Sequence, residues 1–202
     1  MKPIGVFYAT RQGHTQRIAE HITAMLRAHG KPAEIRNLRH EPEMIVFDDY
    51  AGVVLAASVH FGIHEYEMTK FAKKHRKDLE RMSSAFISVN LTEAGVENPQ
   101  ATAEQRSRAA AVVEHMLDDF YARTSWRPKY VKAVAGALPY VKTNFLGRFL
   151  MKRVAASTGI DTDTSHNYVY TNWTSLDHFI DDFAAEVQLS NGPCPTPSSA
   201  PA

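Results

Sequence analysis

The apolar run Ile4-Gly5-Val6-Phe7 leads through Tyr8-Ala9-Thr10-Arg11-Gln12-Gly13-His14-Thr15 into a helical pattern with almost no linker. A strand that passes straight into a helix must cross over before it can pair again, which favours a parallel sheet. The rest of the chain repeats the arrangement. Residues Thr15 to Ala28 carry Ile18, Ile22 and Leu26 at four-residue spacing, one helical face, and Gly30 follows as a stop. Ala33 to Leu38 alternates like an exposed strand, and Gly52 to Ser58 is apolar on both faces, as a central parallel strand requires.

Glu65 to Met82 reads as one charged helix, Ser84 to Asn90 as a buried strand, and Ala101 to Arg123 as a helix with Val113, Met116, Leu117 and Phe120 inward. A fifth strand is predicted over Tyr130 to Leu138. A short one follows in Asn167-Tyr168-Val169-Tyr170-Thr171, and a last helix over Trp173 to Leu189 has Leu176, Phe179, Ile180, Phe183 and Val187 on one stripe. Strands and helices in this order fit an α/β, flavodoxin-like, doubly wound five-stranded parallel sheet of order 2-1-3-4-5, with helices on both faces. The stretch Pro139 to His166 is longer than a plain connection and reads as an insertion at the fifth strand. Residues 1–189 are expected to form one domain, and Ser190 to Ala202, rich in Pro and Ser, a disordered tail.

A formal net charge of +1 gives no global field for nucleic acid. The single cysteine, Cys194, excludes an intramolecular disulfide or a cysteine-rich metal site. No apolar run approaches the ~20 residues that span a bilayer, and no signal peptide opens the chain, so a cytoplasmic protein is expected, with room for peripheral attachment to the inner face of the cell membrane. His60 and His64 stand four apart, but Gly62 between them argues against helical metal ligands, and no metal is expected. The run Lys73 to Lys77 shares its helix with Glu65, Glu67, Asp78 and Glu80 and reads as a solvated face.

In a sheet of this type ligands sit beyond the carboxyl ends of the strands, where the strand order reverses. The turn after the first strand combines a helix N-terminus, a natural anion site, with Gly13 for close backbone approach and with the hydroxyls of Thr10 and Thr15. It matches neither the dinucleotide nor the Walker glycine pattern, and hydroxyls without a phosphate lysine suit a terminal phosphomonoester such as that of FMN. The same residues would also make a well-capped helix start. The loops "AASVHFGIHEY" and "SVNLTEAG" should emerge beside this turn, with Phe61 and Gly62 suited to apolar cover and His60 and Asn90 as polar candidates.

Taken together, "TRQGHT", "AASVHFG", "SAFISVNL", "SWRP" with "VAGAL", and "DTDTSHNYVYTNW" resemble the menaquinone-dependent protoporphyrinogen IX dehydrogenases, FMN proteins on a long-chain flavodoxin fold. The resemblance covers residues 2 to 189. It implies FMN with its phosphate on Thr10, Arg11, Gln12, Gly13, His14 and Thr15. The ring would lie between Ser58, Val59, His60, Phe61 and Gly62 on one side and Ser88, Val89, Asn90 and Leu91 on the other. It further implies oxidation of protoporphyrinogen IX to protoporphyrin IX in haem biosynthesis, with electrons leaving to a membrane quinone, menaquinone or ubiquinone. Within the insertion, Phe145, Leu146, Phe149, Leu150 and Val154 would form one helical stripe flanked by Lys142, Arg148, Lys152 and Arg153. Such a helix suits an anionic membrane surface or a tetrapyrrole whose propionates meet Arg148 or Lys152, and it could equally pack on its own domain. A flavodoxin-type electron carrier or quinone reductase is the alternative function, and a flavin-free binding module of the same fold a third. Homo-oligomerisation is left open.

Overall fold

A computed structural model of the protein describes residues 1–40, 45–138 and 168–190. Its main sheet contains β1 (Ile4–Ala9), β2 (Ala33–Asn37), β3 (Gly52–His60), β5 (Ser84–Asn90) and β6 (Tyr130–Ala135), all parallel, in the order β2-β1-β3-β5-β6. Counting these strands alone, that is the expected 2-1-3-4-5 order. The extra element β4 (Ile63–His64) turns back antiparallel on the end of β3 and lengthens it into a hairpin.

Alternation along the strands sends side chains into two cores. On one face Val6, Val54, Ile87 and Val134 meet Ile18, Ile22 and Leu26 of α1 (His14–Ala28) and Leu176, Ile180 and Phe183 of α6 (Trp173–Ser190). On the other face Phe7, Leu55 and Phe86 meet Met68 of α2 (Tyr66–Lys74), Leu79 of α3 (Arg76–Arg81) and Phe120 of α5 (Ala103–Thr124). The four-residue spacing in α1 is what places its three aliphatic side chains on one stripe, each fully buried and worth about 1.5–3 kcal/mol.

Three boundaries differ from the sequence-based expectation. The helix expected from Glu65 to Met82 is two helices, broken at His75 (φ −104°, ψ 19°), whose ring stacks on Phe47 and Phe71 at 5.0 and 4.8 Å. Glu65 itself lies outside α2, with extended ψ, and turns inward. The fifth strand ends at Ala135, where the Gly136 N–H makes the last bond to β5 by donating to the Asn90 carbonyl. Beyond it β7 (Ala137–Leu138) pairs antiparallel with β8 (Tyr168–Val169) as a separate ribbon. Ser190, expected at the start of a disordered tail, is the last residue of α6.

Trp126-Arg127-Pro128, among the most particular parts of the resemblance, serves the fold. Trp126 packs edge-on to Phe86 and Phe120, while Arg127 lies 4.5 Å over the Tyr121 ring and pairs with Asp118.

His64 supplies a test of the core. It is buried against Phe86 and Phe120 and shares a 2.9 Å hydrogen bond with Ser88 Oγ; burial pushes its imidazole down to about 4. The unfolded chain binds this proton at about 6.5 and the folded chain resists it, so stability is complete above that pH and falls as pH drops towards 4, by about 3 kcal/mol. Urea titrations across this range are expected to show the loss, and His64→Gln to remove most of the slope.

Candidate functional site

Four segments meet at the carboxyl edge of the sheet: the β1–α1 turn, the β3–β4 hairpin, the β5 loop, and the entry to α6. In the first, Gly13 has φ +86°, a conformation that costs glycine little, and a side chain built there would meet nothing within 4 Å. The Gly13 N–H donates to Thr10 Oγ1 at 3.2 Å. The first carbonyl bond of the helix runs from the Arg17 N–H to Gly13, so the N–H groups of His14, Thr15 and Gln16 have no carbonyl one turn back. Thr15 Oγ1, with its residue 1% exposed, has no hydrogen-bond partner. A buried hydroxyl without a partner costs about 1–3 kcal/mol. At an open helix N-terminus it marks a place for an oxyanion.

Neighbours hold this turn in shape. Arg39 donates from Nη1 to the Thr10 carbonyl at 3.3 Å while its Nε lies 3.3 Å from Glu67. On the other side Thr171 gives its only hydroxyl proton to the Ala135 carbonyl at 2.7 Å, so at 2.8 Å His14 Nε2–H must be the donor to Thr171 Oγ1. Burial, reinforced by Arg17, keeps the His14 imidazole below its usual range. The positive potential at the turn therefore comes from the helix end and from Arg11, not from an imidazolium.

Glu65 joins this turn to the hairpin. Its side chain is 1% exposed, yet three groups converge on it: Arg11 Nε at 3.0 Å, the Ser58 hydroxyl at 3.1 Å, and His60 Nε2 at 3.2 Å, the last out of line for a hydrogen bond. Burial, with Arg11 adding to it, keeps His60 below its usual range against the opposing pull of Glu65. At the hairpin tip Phe61 (φ +52°) and Gly62 (φ +79°) both carry positive φ, as a tight two-residue hairpin turn requires. For Gly62 that is free; for a bulky Phe it is strained. Phe61 is nevertheless 84% exposed and contributes nothing to the core.

The β5 loop is more enclosed. Ser88 is wholly buried and engaged by His64, Asn90 Oδ1 accepts the Glu93 N–H at 2.8 Å, and Val89 is buried beside them. Leu91 is half-buried at the rim. Glu93 opens the short helix α4 (Glu93–Val96). Burial, with Glu97 adding like charge and Lys132 opposing, raises its carboxyl to about 7.

The structure thus brings Thr10, Gly13, Thr15, His60, Phe61, Asn90 and Leu91 to one edge. Ser58 and Ser88 lie beneath it with their hydroxyls committed inward; Arg11 and Gln12 are exposed at the turn. Lys142, Phe145, Arg148, Phe149 and Lys152 lie outside the described residues. Sequence reasoning missed Glu65, Arg39 and Glu93, whose roles depend on partners distant in the chain. Thr171 had a signal, since "YTNW" belongs to the stretch that carries the resemblance. Among the described residues no group of His, Cys, Asp or Glu is placed to hold a metal ion, and no helix is long and apolar enough to cross a membrane. A cleft of about 590 Å³ opens at the opposite edge of the sheet, beside Trp126 and Tyr130, where Arg127–Asp118, Lys129–Glu186 and Arg81–Asp48 are already paired.

The orphaned hydroxyl generates a test. Thr15→Val is expected to leave the unliganded chain as stable in urea as before, or slightly more so. It should weaken binding of a phosphomonoester at the turn by about 1–3 kcal/mol. A drop in unliganded stability would mean that the hydroxyl has a protein partner.

Comparison with known proteins bears directly on this edge. The profile of the flavodoxin domain family matches residues 5–165. The protoporphyrinogen IX dehydrogenase [quinone] of Escherichia coli K12 is 32% identical over 179 residues, 89% of this chain and 93% of that protein. A Leishmania major protein of the same name is 33% identical over 181 residues, 89% of this chain and 74% of its own length. Among solved structures, a short-chain flavodoxin associated with a PDU bacterial microcompartment superposes with a TM-score of 0.49 at 13% identity, over 93% of this chain and 99% of that one. By these matches and by its strand order, the chain belongs to the protoporphyrinogen IX dehydrogenase [quinone] family of flavodoxin-domain proteins.

Proposed function

We propose that the protein binds FMN at the carboxyl edge of the sheet and oxidises protoporphyrinogen IX to protoporphyrin IX, a haem-biosynthetic step, passing the electrons to a membrane quinone, menaquinone or ubiquinone. The observation that carries the reading is the buried Thr15 hydroxyl without a partner, at an open helix N-terminus beside Gly13. The family membership supplies the substrate class.

The residues present fit the cofactor. Its phosphate would take the N–H groups of His14, Thr15 and Gln16, the Thr15 hydroxyl, and the hydroxyl proton of Thr10, whose oxygen already accepts from Gly13. Its ring would lie between Phe61 of the hairpin and the Asn90–Leu91 loop, with the backbone of residues 59–62 and 90–91 at its polar edge. Bound there, FMN would supply a two-electron acceptor, and the six-electron oxidation would need three such rounds with three quinones taking the electrons.

The chain's own part is position, charge and protons. Glu65 fixes the phosphate turn against the hairpin through Arg11, Ser58 and His60, so that phosphate and ring sites keep one spacing. Porphyrinogen oxidation also releases pyrrole N–H protons, which need an acceptor near neutral pH. Glu93, whose backbone N–H is held by Asn90 of the β5 loop and whose carboxyl is raised by burial to about 7, is the acceptor we propose for them. The contact assigned to Lys142, Phe145, Arg148, Phe149 and Lys152 with substrate or membrane rests on their sequence pattern alone.

Anaerobic turnover of protoporphyrinogen IX by the FMN-loaded protein with a menaquinone analogue, read by porphyrin fluorescence against an enzyme-free control, tests the assignment. A rise that needs protein, FMN and quinone is the expected result; no rise in protein that demonstrably holds FMN would overturn it. The rate should climb as pH rises through about 7, because Glu93 accepts protons only as the carboxylate, and Glu93→Gln should flatten that limb. An unchanged profile would remove Glu93 from the proton path.

A further inference from the structure

The structure takes two of the four acids, Glu65 and Glu67, away from the basic run on α2 and α3, while Asp78 and Glu80 stay on it and pair with its arginines and His75. Glu65 is buried against Arg11, Ser58 and His60. Glu67 pairs with Arg39 from the loop after β2. Asp78 takes Arg81 and His75, and Glu80 takes Arg76. Lys70, Lys73, Lys74 and Lys77 are left exposed and without an ion-pair partner among the described residues.

These lysines share a side of the helix. Tyr66, Lys70, Lys73 and Lys74 fall at i, i+4, i+7 and i+8, a single stripe about 12 Å long, opposite Met68 and Ala72, which are buried in the core. Lys77, in α3 beyond the break at His75, is likewise exposed. At its upper end, next to the site edge, the stripe turns apolar: Tyr66 is 68% exposed, and Ile63 of the hairpin is 47% exposed.

We propose that this face, Lys70, Lys73, Lys74 and Lys77 with Tyr66 and Ile63, docks on an anionic lipid surface and sets the site edge against the bilayer. The chemistry favours lipid over other polyanions. A cluster of unpaired lysines along a helix is attracted to anionic headgroups, each charge adding to the affinity. An exposed tyrosine and isoleucine at one end can enter the headgroup boundary, with the tyrosine hydroxyl kept wet. A nucleic-acid surface would ordinarily use arginine forks, and the core of a protein interface is usually poor in lysine; this stripe has lysine alone. The docking stands on the unpaired charges. Only its purpose, access to a lipid-soluble quinone, rests on the function proposed above.

Flotation of the full chain with phosphatidylcholine vesicles, with and without phosphatidylglycerol, separates the two. Binding is expected only with the anionic lipid and should be lost at high salt. The combined variant Lys70→Gln, Lys73→Gln, Lys74→Gln and Lys77→Gln should keep its melting transition and bind about tenfold more weakly or worse. A separate Tyr66→Ser variant should weaken binding while leaving its salt dependence intact. The proposal falls if the wild-type chain ignores anionic vesicles at low salt, or prefers duplex RNA to them. It also falls if the lysine variant floats as well as wild type, which would place docking on another part of the chain. Because flotation needs neither flavin nor porphyrinogen, a chain that docks without turning over substrate upholds the surface and sinks only the functional assignment.

Discussion

A carboxylate removed from water must be met by donors or it destabilises the fold, and Glu65 is met by two, with a third polar group, His60 Nε2, 3.2 Å away. Arg11 comes from the first turn of the sheet edge, Ser58 from the end of β3, and His60 from the hairpin beyond it. Without this tie the phosphate turn and the hairpin would be two independent loops. With it they form one cradle whose floor is the fully buried ends of the central strands. The same inward turn of Glu65 starts α2 one residue later and removes an acid from the helix's outer face, so the cradle and the lysine stripe have a common origin.

The edge divides its work by burial. Buried polar groups pair with each other, His64 with Ser88 and Ser58 with Glu65, and stiffen the floor. What remains open at the edge is the first-turn N–H groups of α1, the Thr15 hydroxyl and the strained, exposed Phe61, with the Glu93 carboxyl raised towards neutrality by burial nearby. That set suits an anionic group at one end, a flat ring at the other and a proton to be moved between them. A preorganised edge of this kind needs little rearrangement to bind, which is how a protein supplies geometry while a cofactor supplies the chemistry.

Much of the fold could be read from local pattern. The Ile18-Ile22-Leu26 spacing, the two-faced apolar run of β3, and the strand-turn-helix start fix elements whose packing follows from topology rules. The open helix start after β1 was legible for the same reason, since Thr10, Gly13 and Thr15 are close neighbours in sequence. What could not be read depends on partners far away in sequence. Nothing local to Glu65 says that Arg11 will meet it, nothing in "KKHRK" says that Arg39 will claim Glu67, and the break at His75 comes from rings at Phe47 and Phe71. Trp126-Arg127-Pro128 taught the converse lesson: a motif particular to the resemblance proved to be packing at the far edge of the sheet.

The proposed function stands on a turn, from Thr10 to Thr15, that would receive a terminal phosphate. Calorimetric titration of the flavin-free chain with FMN and, separately, with riboflavin tests it most directly, because the two ligands share the ring and differ only in that group. Several hydrogen bonds to a charged phosphate are expected to make FMN bind about a hundredfold more tightly or better. Equal affinities would mean that the ring alone is recognised and that the open helix end at Gly13 serves some other anion.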